Sequence, residues 1–244
     1  MPRTARKKSA TGIYHIMVRG INRQEIFQDE EDKSAYLDRV SKYKLECDFE
    51  IYAYCLMNNH VHLLIKEGKE AIQQIMKKIG TSYVYWYNFK YGRVGHLFQD
   101  RYKSEAVEND RYLLTVARYI HQNPVKVGLK MEEWTSYNDY FGDAKITDTE
   151  MLLEMFNNNP AKYKEYMNEK NGDTCLDISE GIRLTDIEAK EIIIKMVGIE
   201  NLQNLQTMDK KTRNSILKEL KQEGLSIRQI ERITGVNRGT VLGA

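Results

Sequence analysis

Residues 51–66, IYAYCLMNNHVHLLIK, constrain the fold more strongly than any other stretch of the chain. Two β-rich runs flank the turn-forming pair Asn58-Asn59, so the pattern predicts a β-hairpin. His60 and His62 lie two residues apart on the second strand, and the two-residue repeat of a strand directs both imidazoles to one face. Two imidazoles at this spacing can share a metal ion, although an ordinary half-exposed strand has the same pattern.

Residues 1–142 are predicted to form one α+β domain around this hairpin. Further strands are predicted at 11–20 and 101–107, and helices at 29–47, 70–91 and 110–123, the last with Asp110 as its N-cap and its end before Pro124. Residues 11–20 are apolar on both faces, which favours a central position in a sheet. The order βαββαβα is that of a ferredoxin-like fold, an antiparallel sheet of four strands with helices on one face.

The predicted helix at 70–91 has an apolar side and an aromatic end. Its predicted buried residues are Ile72, Ile75, Met76, Ile79, Val84 and Phe89. Its end, TSYVYWYNFKYGR, interleaves aromatic residues with lysine and arginine. Such residues can stack on unpaired bases or pack at the core and its rim, and both interpretations remain open at this point.

The rest of the chain is predicted to be an all-α extension in two parts. Residues 143–199 are expected to form an acidic helical linker or subdomain. Residues 200–244 are expected to form a DNA-binding segment, because the final stretch has the isoleucine spacing of a helix-turn-helix, a turn glycine at Gly235 and an N-cap at Asn237. A generic helical hairpin is the alternative, and the final helix is short enough that it could be truncated.

Charge is distributed unevenly along the 244 residues, although the net charge is only +2. Counting Lys and Arg against Asp and Glu, residues 1–130 carry +7, residues 131–199 carry −8 and residues 200–244 carry +3. Two basic blocks separated by an acidic one suggest two surfaces for a polyanion. An ordinary solvated surface would also account for local charges of this size.

Cysteine content and hydropathy exclude several classes of protein. Cys47, Cys55 and Cys175 form no close pairing motif, which argues against a disulfide framework or a cysteine zinc site. The first eight residues lack the apolar core of a signal peptide, and no apolar run approaches the length of a membrane span. We therefore expect a soluble, cytoplasmic protein.

A second group of chemically useful residues lies on the helix before Pro124. Tyr119 and Asn123 are four residues apart and therefore share one helical face. The Asn123 side-chain oxygen is a hard ligand, and together with His60 and His62 it would leave open positions on a divalent cation, as a catalytic site requires. A phenol such as Tyr119 can attack a phosphodiester when a cation draws charge from the phosphate.

These motifs resemble those of a known family. NNHVHLLI is similar to the HUH motif, and ARYIHQNPVKVGL is similar to the tyrosine helix of single-tyrosine HUH transposases of the IS200-like type. YHIMVRGINRQEIF and GHLFQDRYKSEAV also resemble the REP-associated tyrosine transposase branch. The resemblance covers about residues 10–142, and Asn123 stands where insertion-sequence relatives have Gln, which fits that branch.

The resemblance implies a ferredoxin-like catalytic domain with a defined chemistry. It implies a divalent metal, Mg²⁺ or Mn²⁺, held by His60, His62 and Asn123, and Tyr119 as the nucleophile. The implied substrate is single-stranded DNA with hairpin or inverted-repeat structure, cleaved and rejoined through a covalent 5′-phosphotyrosine. It leaves open whether the protein acts as a monomer or as a homodimer.

Basic and polar residues outside this set are candidate DNA contacts. They comprise an N-terminal arm, the end of the first strand, the start of the fourth strand and the last helix: Arg3, Arg6, Lys7, Lys8, Arg19, Arg23, Arg101, Lys103, Asn237 and Arg238. Solvated turn charges are an equally good interpretation of Arg19 and Arg23. Among the remaining histidines, His15 and His121 are expected to pack or lie at the surface, and His96 could approach DNA.

Two other functions remain compatible with the sequence. A catalytically idle DNA-binding regulator would use the helix-turn-helix alone, but it would not need the intact set of two histidines, a tyrosine and an asparagine. A metal-dependent phosphodiesterase would use water in place of Tyr119 as the attacking group.

Overall fold

The computed structural model describes residues 6–142, 144–170, 172–176, 186–197, 205–206 and 208–244, and Arg3 lies outside this part of the chain. The chain divides into two compact units, residues 1–177 and 178–244. Among the described residues, no helix combines the length and the apolar character that a membrane crossing demands.

The first unit is built on an antiparallel sheet of four strands. These are β1 (Ile13–Arg19), β2 (Glu50–Met57), β3 (His60–Lys66) and β4 (Lys103–Ala106), in the order β2-β3-β1-β4. The hairpin of β2 and β3 and the internal position of β1 confirm two predictions from the apolar pattern. On the outer side of β2, the amide of Leu56 donates to the Trp134 carbonyl over 2.9 Å, so the segment after the third helix covers this edge.

One face of the sheet is covered by α1 (Glu30–Cys47) and α2 (Ile72–Lys90). Asp29 caps α1 by accepting a hydrogen bond from the Asp32 amide over 2.9 Å, and acidic residues fill the first turn, as the sequence predicts. Ile75 and Ile79 of α2 are fully buried in the core with the sheet. Two residues of the predicted buried side differ: Val84 is only partly buried, and the Phe89 side chain is 83% exposed, one turn after the exposed Tyr85 on the same face of α2.

The third helix, α3 (Asp110–His121), covers the opposite face of the sheet. Its buried residues, including Val116 and Ile120, join a second core with Leu64 of β3. The prediction of helices on one face only is therefore wrong, because both faces of the central strands are apolar and each must be buried. The N-cap is Asn109, not Asp110: its side chain accepts from the Tyr112 amide over 2.9 Å.

The acidic segment 143–199 is shared between the two units. Two short helices, α4 (Glu150–Glu154) and α5 (Pro160–Asn168), bury Leu152, Tyr163 and Met167 in the second core of the first unit. The next helix, α6 (Asp186–Val197), belongs to the second unit. The expected division was into residues 1–142, 143–199 and 200–244. The structure differs because the apolar sides of α4 and α5 pack in the core formed by α3 and the sheet.

The second unit is helical. It contains α6 with α7 (Lys210–Gln222), α8 (Ile227–Thr234) and α9 (Arg238–Gly243). A capping box between Ser226 and Gln229 begins α8, Gly235 ends it with φ +71°, and the Asn237 side chain caps α9. The turn signals predicted from the sequence therefore begin and end these helices, while a role in reading DNA stays a prediction.

The packing of α3 can be tested by Ile120→Ala. Because Ile120 is fully buried, its truncation leaves a cavity that lowers the free energy of unfolding by about 2–5 kcal/mol. Arg111→Ala, at an exposed position of the same helix, should change it by less than about 0.5 kcal/mol. Urea denaturation of both variants measures the difference, and equal losses would contradict the assigned packing.

Candidate active site

His60 and His62 project from β3 toward α3. The intervening Val61 and the following Leu63 lie in the core with α1 and α2, whereas Leu64 lies in the core with α3. Both imidazoles are buried, and their ring centroids are 5.1 Å apart with the planes nearly perpendicular. Both imidazoles therefore lie on one face of β3, as the two-residue repeat predicts.

Tyr119 and Asn123 approach these imidazoles from α3 and the turn that follows it. The Asn123 side-chain oxygen is 3.3 Å from Nε2 of His60. The Tyr119 ring lies edge-on to His62 with 5.8 Å between centroids. The helix ends at His121, two residues earlier than predicted, and Asn123 precedes a 3₁₀ helix that begins at Pro124.

The hydrogen bonds of His60 orient its ring for ligation. Its Nδ1 is 2.6 Å from the side-chain oxygen of Asn59, which only accepts, so Nδ1 carries the proton and donates. Nε2 lies within hydrogen-bond distance, 3.3 Å, of the Asn123 oxygen. With the proton on Nδ1, the Nε2 lone pair and the Asn123 oxygen are both available to a cation placed between them.

His62 is a neutral imidazole with one unused nitrogen. Burial first, and then electrostatic interactions with His15, His60 and Lys126, hold the pKa of His62 well below its ordinary value. Its Nδ1 lies 2.9 Å from Nε2 of His15. Within the described part of the chain, Nε2 of His62 is buried without a hydrogen-bond partner. Such an atom is available as a metal ligand.

His15 is a site residue that sequence reasoning assigned to packing or to the surface. It lies opposite Leu64 in the pairing of β1 with β3, so it falls on the same face as His62 and diagonal to it. The two-residue alternation of β1 predicts which residues of that strand share a face with His15. It does not predict the register between β1 and β3, which brings His15 beside His62.

Lys126 is a second residue that sequence reasoning missed. Its ammonium nitrogen lies 3.6 Å from the centroid of the Tyr119 ring, within the range of a strong cation–π contact. Tyr119 itself is only 3% exposed. The lysine was visible in the NPVKVGL motif, but its position over the ring depends on the 3₁₀ turn after Pro124.

Other tyrosines and histidines of the first unit lie outside this group. Tyr102 belongs to the core with α1 and α2, on the other face of the sheet. Tyr112 is partly buried, two turns before Tyr119 on α3. His121 is buried, 2.8 Å from the Ser136 hydroxyl, and burial lowers its pKa to about 3, so it has the packing role expected of it. His96 is exposed in the loop before β4.

The candidate DNA contacts are spread over both units. In the first unit, Lys7, Lys8, Arg23, Arg101 and Lys103 are exposed, and Arg6 and Arg19 are partly buried. Arg19 is the closest to the site in the sheet, because it pairs with His60 in the register of β1 and β3. Asn237 and Arg238 are exposed in the second unit. Among the described residues, no group of three or more His, Cys, Asp or Glu side chains could hold a metal ion.

Comparison with known proteins identifies the N-terminal part of the chain. The family model described as "Transposase IS200 like" matches residues 8–123. These residues are therefore similar to the IS200-like transposase family. The match includes all four residues brought together between β3 and α3, so the region similar to the family contains the whole candidate site. None of the curated proteins compared with the chain matches it.

One solved structure is similar in fold to this chain. A structure of a REP-associated tyrosine transposase bound to a REP hairpin is similar with a TM-score of 0.54 and 17% identity, covering 76% of this chain and 99% of the other. A transposase structure from Deinococcus radiodurans has a TM-score of 0.36 and 16% identity, covering 50% of this chain and 97% of the other. The first shows a shared fold, and the second is too dissimilar to support an argument.

Proposed function

We propose that this protein is a metal-dependent transposase and endonuclease for single-stranded DNA, which cleaves and rejoins DNA through a covalent 5′-phosphotyrosine. The observation that carries the proposal is the convergence of Tyr119 with His60, His62 and Asn123 between β3 and α3. A phenol beside three ligand-type side chains is the set needed for attack on a phosphodiester near a cation.

The donor set fits Mg²⁺ or Mn²⁺. Nε2 of His60 and the Asn123 oxygen are 3.3 Å apart, and two ligands on adjacent corners of an octahedron with bonds of roughly 2.1 Å are separated by about 3 Å. The buried, unpartnered Nε2 of His62 supplies the third ligand. When bound, the cation would withdraw charge from a non-bridging oxygen of the scissile phosphate.

Tyr119 is the proposed nucleophile. Its phenol oxygen forms a bond to phosphorus while the bond to the 3′-oxygen of the preceding nucleotide breaks. The 3′-oxygen leaves with the bonding electron pair and takes up a proton, which balances the proton lost by the phenol. The bond energy is retained in the phosphotyrosine, so a DNA 3′-hydroxyl can reverse the step and rejoin strands.

Lys126 is proposed to assist Tyr119. Its ammonium group lies over the phenol ring, where a positive charge stabilises the electron-rich oxygen as it loses its proton. The same contact fixes the ring's orientation between the turn and the histidines.

The proposed partner is single-stranded DNA with hairpin or inverted-repeat structure. The structure similar to this chain is that of a REP-associated tyrosine transposase bound to a REP hairpin, and NPVKVGL is typical of that branch. The exposed cations of the first unit would contact the backbone. In the second unit, α8 and α9 would act as a helix-turn-helix that reads a further DNA site, with Asn237 and Arg238 at the start of its last helix.

The second candidate function, a DNA-binding regulator, is favoured only by those two capped helices. It gives no role to the convergence of His60, Asn123 and Tyr119. We therefore rank it below the transposase and use it as an outcome of the first test.

Tyr119→Phe should abolish covalent capture of DNA, because it removes the attacking oxygen and keeps the ring. Purified protein is incubated with Mn²⁺ and hairpin oligonucleotides from the DNA that flanks its gene, and adducts that survive denaturation are resolved by electrophoresis. The native chain should form an adduct, and the variant should lose at least about 10³-fold. Tyr112→Phe, on the same helix, is the matched control and should retain the adduct.

Other outcomes of this assay are informative. Free nicked product with unchanged activity in Tyr119→Phe would mean that water attacks, as in a phosphodiesterase. Cleavage of no hairpin by the native chain, together with tight hairpin binding, would favour the regulator.

His15→Ala should weaken Mn²⁺ binding by about 10–100-fold, because the Nδ1 contact that orients His62 is lost. His15→Gln retains a polar side chain at this position and should lose less. Titration calorimetry without DNA measures the affinity, and thermal unfolding checks that each variant is folded. Native-like Mn²⁺ affinity in a folded alanine variant would disprove this role.

Lys126→Met should slow adduct formation by about 10-fold, the effect of roughly 1.4 kcal/mol in the barrier. Lys126→Arg preserves the positive charge over the ring and should recover most of the rate, whereas a purely steric role would favour Met over Arg. Single-turnover rates with the same hairpin distinguish the two.

A further inference from the structure

A groove on the other side of the sheet has no part in the chemistry at Tyr119. It lies between α2 and the segment 96–102, encloses about 850 Å³ and is floored by Val18 of β1 and Tyr36 of α1. This volume is within the range of roughly 300–1,000 Å³ that is common for ligand sites.

Aromatic rings form part of both walls of the groove. On α2, Tyr85 lines the groove and is 78% exposed, whereas its neighbours Tyr83 and Tyr87 are buried in the core. On the other wall, Phe98 packs partly against that core. The aromatic end of α2 therefore packs some of its rings in the core and leaves others exposed, where they are accessible to a ligand.

Positive charge predominates in the groove. Arg6, Lys77 and Arg101 line it together with one carboxylate, Asp100. The Arg6 guanidinium is held in position by a hydrogen bond of 2.6 Å to the Tyr102 carbonyl and by stacking 3.9 Å from the Tyr102 ring centroid. Exposed rings combined with cations are the features of sites that bind unpaired nucleic acid.

The groove is joined to the strand end that neighbours the candidate active site. The amide of Gln99 donates to the Arg19 carbonyl over 2.9 Å, and the amide of Ile21 donates to the Leu97 carbonyl over 2.9 Å. Arg19 pairs with His60 in the register of β1 and β3. One wall of the groove is therefore fixed to the residue opposite a proposed metal ligand.

We propose that this groove binds unpaired nucleotides of single-stranded DNA, with bases stacking on Tyr85 and Phe98 and phosphates contacting Lys77 and Arg101. The inference rests on the proposed function for its choice of DNA. The groove thereby holds nucleotides of the single strand that flank the reacting phosphate, while the chemistry occurs on the other face of the sheet.

The test measures binding alone. Full-length protein carrying Tyr119→Phe is titrated without metal into a fluorescent oligothymidylate of about 15 nucleotides, which forms no hairpin. Adding Tyr85→Ala should weaken binding by about 5–100-fold, the expected loss of one stacked base. Phe89→Ala removes an equally exposed ring from the same helix, outside the groove lining, and should stay within about twofold.

The proposed phosphate contacts are tested by the salt dependence of DNA binding. Lys77→Gln and Arg101→Gln should each reduce the slope of log affinity against log salt concentration by about 0.7, the value for one phosphate on a single strand. Lys42→Gln, at an exposed position of α1 outside the groove, should leave the slope unchanged.

Two results would overturn the inference. Unchanged affinity in Tyr85→Ala and unchanged slopes in both glutamine variants would leave the groove without a DNA ligand and favour a protein partner. Equal losses on a duplex of the same length would mean that the groove contacts the backbone only. Because no cleavage is measured, a chain that forms no adduct could still pass this test, so the two proposals fail separately.

Discussion

The packing of α3 against the histidine face of the sheet is the interaction on which the site depends. Ile120 is fully buried against the same core as Leu64 of β3. Burial of side chains of this size contributes roughly 1.5–3 kcal/mol each, which fixes both the rotation and the height of the helix. With that register fixed, Tyr119 and Asn123 can only lie beside His60 and His62. The arrangement of the candidate site is thus a consequence of the apolar packing of Ile120, the residue next to Tyr119.

The two faces of the sheet carry different kinds of chemistry. On one face, burial lowers the pKa of His62, and the Asn123 oxygen lies 3.3 Å from Nε2 of His60, so nitrogen and oxygen ligands are grouped together. On the other face, α1 and α2 enclose a larger aromatic core whose outer rings remain exposed. The central strand β1 connects both faces, since its alternate residues point to each. His15 and Val18 of this one strand lie on opposite faces of the sheet.

The sequence predicted the parts of this site that follow from local periodicity. The hairpin, the common face of His60 and His62, and the common face of Tyr119 and Asn123 all derive from repeats of two and of about four residues. Their meeting rested on the family resemblance, because periodicity does not say which face of a sheet a helix covers. The contacts of His15 and Lys126 depend on strand register and on a 3₁₀ turn, so no local pattern contained them. Phe89 was misjudged because an aromatic residue at core spacing can also lie at the rim.

The burial of Tyr119 links chemistry to recognition. A ring that is 3% exposed beneath a lysine cannot meet a phosphate by random encounter. If Tyr119 is the nucleophile, its surroundings must rearrange to admit a phosphate while Lys126 stays over the ring, and the energy for that rearrangement has to come from DNA that binds well elsewhere on the protein. Single strands that arise during replication and repair would then be ignored, although their phosphates are chemically identical. In a cell, the burial of Tyr119 would then protect other single-stranded DNA from cleavage.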